Sequence, residues 1–495
     1  MYRSVIISLL SLSLGFVLWA CDSNEKGIDP KHADDNAAGM SKDDISSMPD
    51  TLQSDYGVNQ ENKVLSVGVL NDESGPAAAI GKPYANGKRL LAALVNSGES
   101  SILPKGWTVE LVERDHAYNP QKSVQAYKEI KDQVLYFGTS FGTPNTLPLL
   151  PMLKIDDIVV FPASLSSDMA ANEFTPPSGP SYRVEAMRAM DFAVSQAGDA
   201  SAVKAGIVYQ QDDYGKDGLD GWKAAAAHAG VTVVSEQTIT PGQKDVTAVI
   251  AALKKAGATH VLLTTLPSGT GPILGTAAQL KYMPTWLGST PSWIDAFFSP
   301  EVIPAAVFTN YHWVTGFPYW GEQVPGMDAF LAAWETHGKE LGKPDFYTLF
   351  SFVQGMLSLN AFSKALAAND VTRSGYRRGL SKVHAFDAGG MLQPLDYSQV
   401  PYQTGSAIRV LKPDMTNKTW TVAADYATPS VLAVDTQAET QAAPPAPEGG
   451  DAPAPAAEGD QAAAPAAEGD QAAAPAAEGD QAAAPANTSS KNSAE

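Results

Sequence analysis

The chain has 495 residues, a formal net charge of −20 and a single cysteine. An acidic chain is a poor partner for nucleic acid, because neutralising phosphates requires a basic surface. One cysteine excludes an intramolecular disulfide framework and a zinc site built from several cysteines.

The first 21 residues predict a signal peptide that lies outside the fold. Arg3 precedes an apolar run of about 15 residues, which is shorter than the ~20 that a membrane-spanning helix needs. The run ends at Cys21 in the order Leu-Trp-Ala-Cys, which resembles the lipobox of bacterial lipoproteins. That resemblance implies that residues 1–20 are cleaved and that Cys21 is lipidated. The chain is then anchored to a membrane of the cell envelope and faces the periplasm or the exterior.

Two flanking segments are too polar and too poor in large apolar side chains to form a core. Residues 22–63 hold 10 acidic and 4 basic residues. Beyond residue 454 the unit Ala-Pro-Ala-Ala-Glu-Gly-Asp-Gln-Ala-Ala repeats every ten residues, and proline at that spacing interrupts any long helix. We therefore predict a disordered acidic tether at 21–63 and a disordered tail at 431–495.

Between these flanks, short apolar runs alternate with helical stretches, a pattern typical of parallel sheets. A first series predicts strands at 65–70, 107–112, 134–137 and 157–161. Its helices are predicted at 84–96 and 119–131, and a third helix follows the strand at 134–137 and ends at about residue 153. A second series begins with a helix at 185–198 and predicts strands at 205–209, 231–234 and 260–264, with helices at 218–229, 245–256 and 271–281. The remaining core elements are helices at 325–340 and 347–368 and strands at 406–411 and 419–424.

The two series predict an α/β protein with two doubly wound, parallel-sheet lobes joined by a hinge. The core spans 64–430. We expect lobe 1 to comprise about 64–184 and 314–395, and lobe 2 to comprise about 185–313 and 396–430.

The order of short sequence motifs in this core resembles the type I periplasmic-binding-protein fold. The nearest match is the branched-chain amino-acid (Leu/Ile/Val) receptor family of ABC importers. The residues that carry the resemblance are 68–76, Gly81, Asn86, Gly87, Arg114, Asp115, Asn119, Pro120, 134–138, 209–215, 238–246 and Pro291. The match covers about 64–425. It implies a receptor that binds a small polar molecule, an amino acid or a related compound, between its lobes.

The loops after two predicted strands are candidates for holding a ligand carboxylate. Ligands of open parallel sheets sit at the carboxyl ends of strands, and small or hydroxyl residues there leave backbone N–H groups accessible. By the resemblance, the carboxylate is held by residues of these two loops, Gly142, Thr143, Ala163, Ser164 and Leu165. Both loops are alternatively ordinary strand–helix turns.

Four further positions match ligand-contacting positions of the family. Tyr214 matches a tyrosine that covers the ligand, and Tyr347 matches an aromatic residue near its apolar end. Leu266, like Ile80, occupies a position where the family often carries tyrosine. Thr290 occupies the position where the family usually has the acid that holds the ligand ammonium.

The missing acid at Thr290 puts a plain aliphatic amino acid in question, because burying an ammonium without a counter-charge is costly. Asp72 or Asp295 are possible substitutes, and a neutral or anionic ligand is equally open. Trp293 and Trp313 belong to an aromatic-rich stretch that is either core packing or a wall for a ring-bearing ligand.

An enzyme is the alternative that the motifs allow. Residues 138–142 fit Gly-x-Ser-x-Gly between a predicted strand and a helix, so Ser140 is a candidate hydrolase nucleophile. No Walker loop, His-Glu-x-x-His or EF-hand pattern occurs, so we expect no cofactor and no metal. The preferred interpretation is a non-enzymatic, monomeric solute receptor that delivers its ligand to an ABC permease of the inner membrane. A sensor or envelope-assembly protein with the same fold is the other alternative.

Overall fold

The structure is a computed structural model that describes residues 51–433. These residues form two lobes, each built around its own β-sheet. The strands of the first lobe are β1 (Gln53–Ser54), β2 (Val58–Asn59), β3 (Val64–Asn71), β4 (Thr108–Asp115), β5 (Tyr136–Phe141) and β6 (Val160–Ala163). Its first helices are α1 (Ala78–Asn96), α2 (Pro120–Ile130), α3 (Thr143–Thr146), α4 (Leu150–Asp156) and α5 (Ser167–Ala170).

The first-lobe sheet has the order β4–β3–β5–β6 with all four strands parallel. Strand β2 pairs antiparallel with the beginning of β3. Residues on both faces of β3 and β5 are buried, which explains why these strands read as apolar runs instead of alternating patterns. Helix α2 begins where the Asn119 side chain accepts a hydrogen bond from the Lys122 amide, with Pro120 in the first turn.

The second lobe continues the same alternation along the chain. Its elements are α6 (Tyr182–Ala197), β7 (Lys204–Gln210), α7 (Asp213–Ala229), β8 (Thr232–Ile239), α8 (Thr247–Ala256), β9 (His260–Thr264), α9 (Pro267–Gln279), β10 (Thr285–Gly288) and β11 (Tyr311–Thr315). The Asp212 side chain caps α7, and Gly230 ends it in the left-handed conformation.

After β11 the chain returns to the first lobe and then passes to the second lobe again. The elements that follow are α10 (Pro325–His337), α11 (Phe346–Ala367), β12 (Asp370–Val371), α12 (Arg373–Leu380), β13 (Ile408–Asp414) and β14 (Thr419–Ala427). Helix α11 packs along α1 of the first lobe, whereas β13 and β14 join the second-lobe sheet. Three chain segments therefore connect the lobes.

The second-lobe sheet has the order β8–β7–β9–β10–β11–β13–β14, in which the first five strands are parallel and the last two antiparallel. In both lobes the second parallel strand along the chain (β4 or β8) pairs with one side of the first (β3 or β7). The later strands are added on the other side of that first strand, so the direction of the strand order reverses there. Such a reversal opens a crevice at the carboxyl ends of the strands. The predicted α/β class with two doubly wound lobes is confirmed.

Several sequence predictions need correction. Strands β1 and β2 lie within the predicted disordered tether, because they pair with β12 and β3, partners that local composition cannot reveal. Val431 and Leu432, predicted as tail, pack against the apolar core of the second lobe. Strand β11 and helix α12 were not predicted. The remainder of the tether and tail, the signal peptide and Cys21 lie outside the described residues.

The lobe boundaries also differ by a few residues from the prediction. Helix α6 packs on second-lobe elements but begins at Tyr182, before the expected start of that lobe at 185. Strand β11 extends the second-lobe sheet to Thr315, past the expected end at 313. Within the described residues, no helix is both long and apolar enough to cross a membrane.

Candidate ligand-binding cleft

A cleft lies between the two lobes at the carboxyl ends of their parallel strands. It holds about 520 Å³ of empty space, counting its opening to solvent. Sixteen residues line it: Ile80, Tyr84, Tyr118, Phe141, Gly142, Thr143, Ala163, Ser164, Leu165, Tyr182, Tyr214, Leu266, Thr290, Pro291, Tyr347 and Phe350. Both sheets have their change of strand order at this edge, which is where ligands of such folds bind.

The structure brings all nine residues predicted as ligand contacts to this one cleft. Each follows a strand or begins a helix: Gly142 and Thr143 after β5, 163–165 at the end of β6, Tyr214 after β7, Leu266 after β9, Thr290 after β10 and Tyr347 at the start of α11. That they contact a ligand stays a prediction.

Six lining residues were missed by sequence reasoning: Tyr84, Tyr118, Phe141, Tyr182, Pro291 and Phe350. Helical spacing could have found two of them. Tyr84 lies four residues after Ile80 in α1, and Phe350 lies three residues after Tyr347 in α11, so each shares a helix face with a residue already considered. Tyr118 carries no such pattern, since it lies in a turn with a positive φ of 57°.

The turn after β5 depends on a glycine and presents a pair of hydroxyl groups. Gly142 has a φ of 89°, and a Cβ atom there would lie 2.7 Å from the Tyr118 ring. The next residue, Thr143, is joined to Ser164 of the neighbouring loop by a hydrogen bond of 2.6 Å between their hydroxyl oxygens. The Ser164 hydroxyl also accepts the Ser166 amide at 3.2 Å. These loops thus form one continuous polar edge of the cleft.

Five tyrosines line the cleft, and most of their hydroxyl groups already have protein partners. Tyr84 donates to Gln354 at 2.9 Å. The Tyr214 hydroxyl bonds the Ser289 hydroxyl at 2.8 Å. Tyr347 donates to the backbone carbonyls of Thr290 at 3.0 Å and Trp293 at 2.8 Å. Burial raises the pKa of all five phenols, so these side chains are neutral and present mainly apolar ring surface.

Behind Thr290 lies a buried carboxyl group that sequence reasoning missed. The Glu185 side chain, on α6, accepts the Thr290 amide at 2.9 Å and also the Thr290 hydroxyl. Glu185 is fully buried and does not line the cleft. Burial raises its pKa to about 8 despite these two hydrogen bonds, so the group is mostly protonated and neutral at pH 7.

A buried lysine lies behind the opposite wall. Lys88 on α1 is only 3% exposed and donates to the Ser351 carbonyl at 2.8 Å and to Gln354 Oε1 at 3.1 Å. Gln354 Oε1 also accepts the hydroxyl of Tyr84, which lines the cleft. In the described part of the chain, no carboxylate forms an ion pair with Lys88. Burial lowers the pKa of its ammonium group well below the ordinary value.

Hydrogen bonds join the two lobes at and beside the cleft. The Tyr118 hydroxyl of the first lobe accepts a hydrogen bond from Gln210 of the second at 3.2 Å. The Phe346 amide of the first lobe donates to Asp295 of the second at 3.3 Å. Together with the bonds from Tyr347 to second-lobe carbonyls, these contacts join the two lobes beside the cleft.

Four candidates from the sequence lie away from the cleft lining. Asp72 accepts the Gly75 and Ala77 amides in a turn, and Asp295 is held by Trp293 Nε1 and the Phe346 amide. Trp293 and Trp313 are both 1% exposed and belong to an aromatic cluster, in which Trp313 stacks on Trp420 and Trp293 meets Trp420 edge-on. The wall of tryptophans is therefore core packing, and neither aspartate faces the cleft.

Ser140 also lies outside the lining. Its side chain is fully buried within β5, and its hydroxyl bonds the Thr146 hydroxyl at 2.8 Å. A hydrolase nucleophile needs an exposed hydroxyl with a base beside it, so this geometry does not favour the enzyme alternative. Among the residues that the structure describes, no cluster of His, Cys, Asp or Glu could hold a metal ion.

Two lobes linked by three segments, with a largely apolar cleft at the facing strand ends, define the class of bilobal solute-binding proteins. Solved structures share this fold. A fatty-acid ABC transporter substrate-binding protein from Thermomonospora curvata is 23% identical, with a TM-score of 0.70 over 78% of this chain and 97% of its own. A branched-chain amino-acid ABC transporter protein from Thermus thermophilus with bound valine is 18% identical, with a TM-score of 0.66 over 76% and 99%.

The sequence assigns the family. The family model described as periplasmic binding protein matches residues 64–418, and the chain belongs to that family. A curated relative from Brucella melitensis, named Leu/Ile/Val-binding protein homolog 3, is 28% identical over 200 residues. That match covers 39% of this chain and 52% of the relative, so the chain spans about half the length of this relative. The family resemblance found in the sequence is confirmed.

Proposed function

We propose that this chain is the solute-binding component of an ABC importer, acting as a lipid-anchored monomer outside the cytoplasmic membrane. The observation that carries the proposal is the cleft, where strand ends of both lobes supply the lining residues and bonds cross from one lobe to the other. A closed cleft that buries a small molecule suits capture and delivery to a permease. The family membership and the names of the similar proteins support the same role.

In the proposed mechanism the ligand first binds one lobe, and the second lobe then closes over it. Ligand can shift the open–closed equilibrium only by its differential affinity for the two forms. The tyrosine contacts between the lobes form only when the cleft is closed, so they favour the closed form. Small-angle scattering of the full chain tests this. Compaction on adding saturating ligand is expected, and an unchanged radius of gyration would contradict closure.

The ligand can be sought directly. Mass spectrometry of small molecules that co-purify with the chain, followed by a thermal-shift screen, should identify compounds that stabilise it. A ligand at 100 times its Kd adds about 2.7 kcal/mol to the free energy of unfolding. A chain that co-purifies with no solute and is stabilised by none in a broad screen would contradict a solute-binding role.

The lipid anchor is tested separately. Metabolic labelling with a radioactive fatty acid should label the wild-type chain and leave Cys21→Ser unlabelled, with the variant released into the soluble fraction. Equal labelling of both would contradict lipidation at Cys21.

A further inference from the structure

The second-lobe wall of the cleft offers no negative charge to a ligand. None of the sixteen lining residues is acidic. The Thr290 hydroxyl has two protein partners, Glu185 Oε1 and the Thr315 hydroxyl at 2.9 Å. The Thr290 carbonyl accepts both Tyr347 and Trp313. Thr290 therefore leaves a ligand at most one lone pair of its hydroxyl oxygen, which is not enough to compensate a buried ammonium.

The acids near the cleft are engaged elsewhere. Glu185 is fully buried and mostly protonated at pH 7. Asp212 caps α7 by accepting the Gly215 amide at 3.1 Å, and it approaches the lining only through Tyr118 at 3.5 Å. Asp72 and Asp295 are held by the turn amides and by Trp293 and Phe346 described above. None of these carboxylates lines the cleft.

The first-lobe wall has the opposite character. The hydroxyls of Thr143 and Ser164 have two protons between them and use one in their mutual bond, so one further O–H is left, which a ligand shares with the neighbouring Tyr182 hydroxyl when Ser164 carries it. Behind Tyr84 lies the buried amine of Lys88, which has no carboxylate partner in the described protein. A ligand anion would supply that missing counter-charge and favour the protonated form of Lys88.

The remaining lining is apolar. Ile80, Phe141, Leu165, Leu266 and Phe350 contribute aliphatic and aromatic surface, and the five neutral tyrosines add ring surface. Such a lining favours a ligand whose body is a hydrocarbon chain or ring.

We propose that the cleft selects a small monocarboxylate with an apolar body and no ammonium group, and excludes the corresponding α-amino acid. The inference rests on the proposed solute-binding function. It names the substrate class by two features of the cleft, the absence of an acid at Thr290 and the uncompensated Lys88 behind the opposite wall.

Matched ligand pairs test this by calorimetric titration of the full chain at pH 7. The pairs are 4-methylpentanoate with L-leucine and 3-phenylpropanoate with L-phenylalanine, which differ only in the ammonium group. At least one carboxylate should bind tenfold or more tighter than its amino acid, and tighter than its own neutral amide. An amino acid that binds as tightly as its matched carboxylate, or an amide that binds equally well, overturns the proposal.

A charge-restoring variant sharpens the test. In Glu185→Gln/Thr290→Glu an acid stands at the cleft wall, and Glu185→Gln/Thr290→Gln is the control of equal size without the charge. The glutamate variant should move the preference within a pair towards the amino acid by about tenfold relative to the control. An unchanged preference overturns the role of Thr290. The wild-type titrations decide the ligand class if the variants do not fold.

Failure of this inference is distinguishable from failure of the proposed function. If no carboxylate binds but another co-purifying solute does, the ligand class is wrong and the solute-binding function stands. If no solute of any class binds, both are wrong.

Discussion

In each lobe a buried ionisable side chain lies behind a residue that lines the cleft, and the two have different hydrogen-bond partners. In the first lobe Lys88 bonds two neutral acceptors, the Ser351 carbonyl and Gln354. In the second lobe Glu185 receives two hydrogen bonds from Thr290, which itself lines the cleft. Burial shifts both pKa values towards the neutral form. Neither side chain has an ion-pair partner in the described chain, so the lobes differ in how the buried group is linked to the cleft. Glu185 bonds the lining residue Thr290 directly, whereas Lys88 is linked to the lining residue Tyr84 through Gln354.

Removing the Glu185 carboxyl group should have the largest effect on the free energy of unfolding. Glu185→Ala leaves the Thr290 amide and hydroxyl without their buried acceptor and opens a cavity, so we expect a loss of about 3–5 kcal/mol in unfolding free energy. Urea denaturation at pH 6 measures it. Glu185→Gln, which keeps an acceptor for the amide, is the matched control and should stay within about 1 kcal/mol of wild type. Equal losses in both variants would show that hydrogen bonding to Thr290 is not the cause.

The pH dependence of stability tests whether Glu185 is neutral in the folded chain. Its folded pKa of about 8 is above the unfolded value of 4.5, so the folded state holds this proton more tightly. The stability contribution is complete below pH 4.5 and is lost as the pH rises towards 8. Relative to Glu185→Gln, wild type should lose on the order of 4–5 kcal/mol across that window. A constant difference between the two proteins would contradict the raised pKa.

Lys88→Met tests whether the lysine contributes to ligand affinity or to the stability of the fold. Because no carboxylate in the described chain pairs with the buried Lys88 amine, its removal should change unfolding free energy by no more than about 1 kcal/mol. Carboxylate affinity should fall about tenfold, which corresponds to about 1.4 kcal/mol. Lys82→Met, on the exposed face of the same helix, is the matched control for calorimetry and should bind like wild type. Unchanged carboxylate affinity in the Lys88 variant would contradict a role of Lys88 in ligand binding.

Tyr118→Phe should have the smallest effect, because it removes one hydroxyl that joins the two walls. The variant loses the bond from Gln210 and the long 3.5 Å contact with Asp212, while the ring remains in the lining. One neutral hydrogen bond contributes about 0.5–1.5 kcal/mol, so we expect ligand affinity to fall about three- to tenfold through a faster dissociation rate. Stopped-flow measurements separate the rates. A slower association with unchanged dissociation would contradict a role in holding the cleft closed.

The sequence predicted the parts of the cleft that depend on local order along the chain. Strand ends followed by small or hydroxyl residues identify the loops at Gly142 and Ser164, since a parallel sheet brings such loops to one edge. Thr290 was identified as the place where an acid is missing. These positions needed only the order of the elements and the family resemblance.

The parts that depend on distant partners could not be predicted. Glu185 and Thr290 are 105 residues apart, and nothing in the helix around Glu185 marks a buried acid. Lys88 was missed because lysines on helices are usually exposed. Strands β1 and β2 have two residues each, too few for any periodic pattern, and depend on pairing with β12 and β3.

The described chain enters through one lobe and leaves through the other. Strand β1 is tied to β12 beside the first lobe, and β14 is the outer strand of the second-lobe sheet. A donor dye near β1 and an acceptor dye on β14 would therefore be attached to different lobes, and neither strand contributes a residue to the cleft lining. The fold thus provides two attachment points for measuring cleft opening by energy transfer in single molecules, without altering any group that meets the ligand.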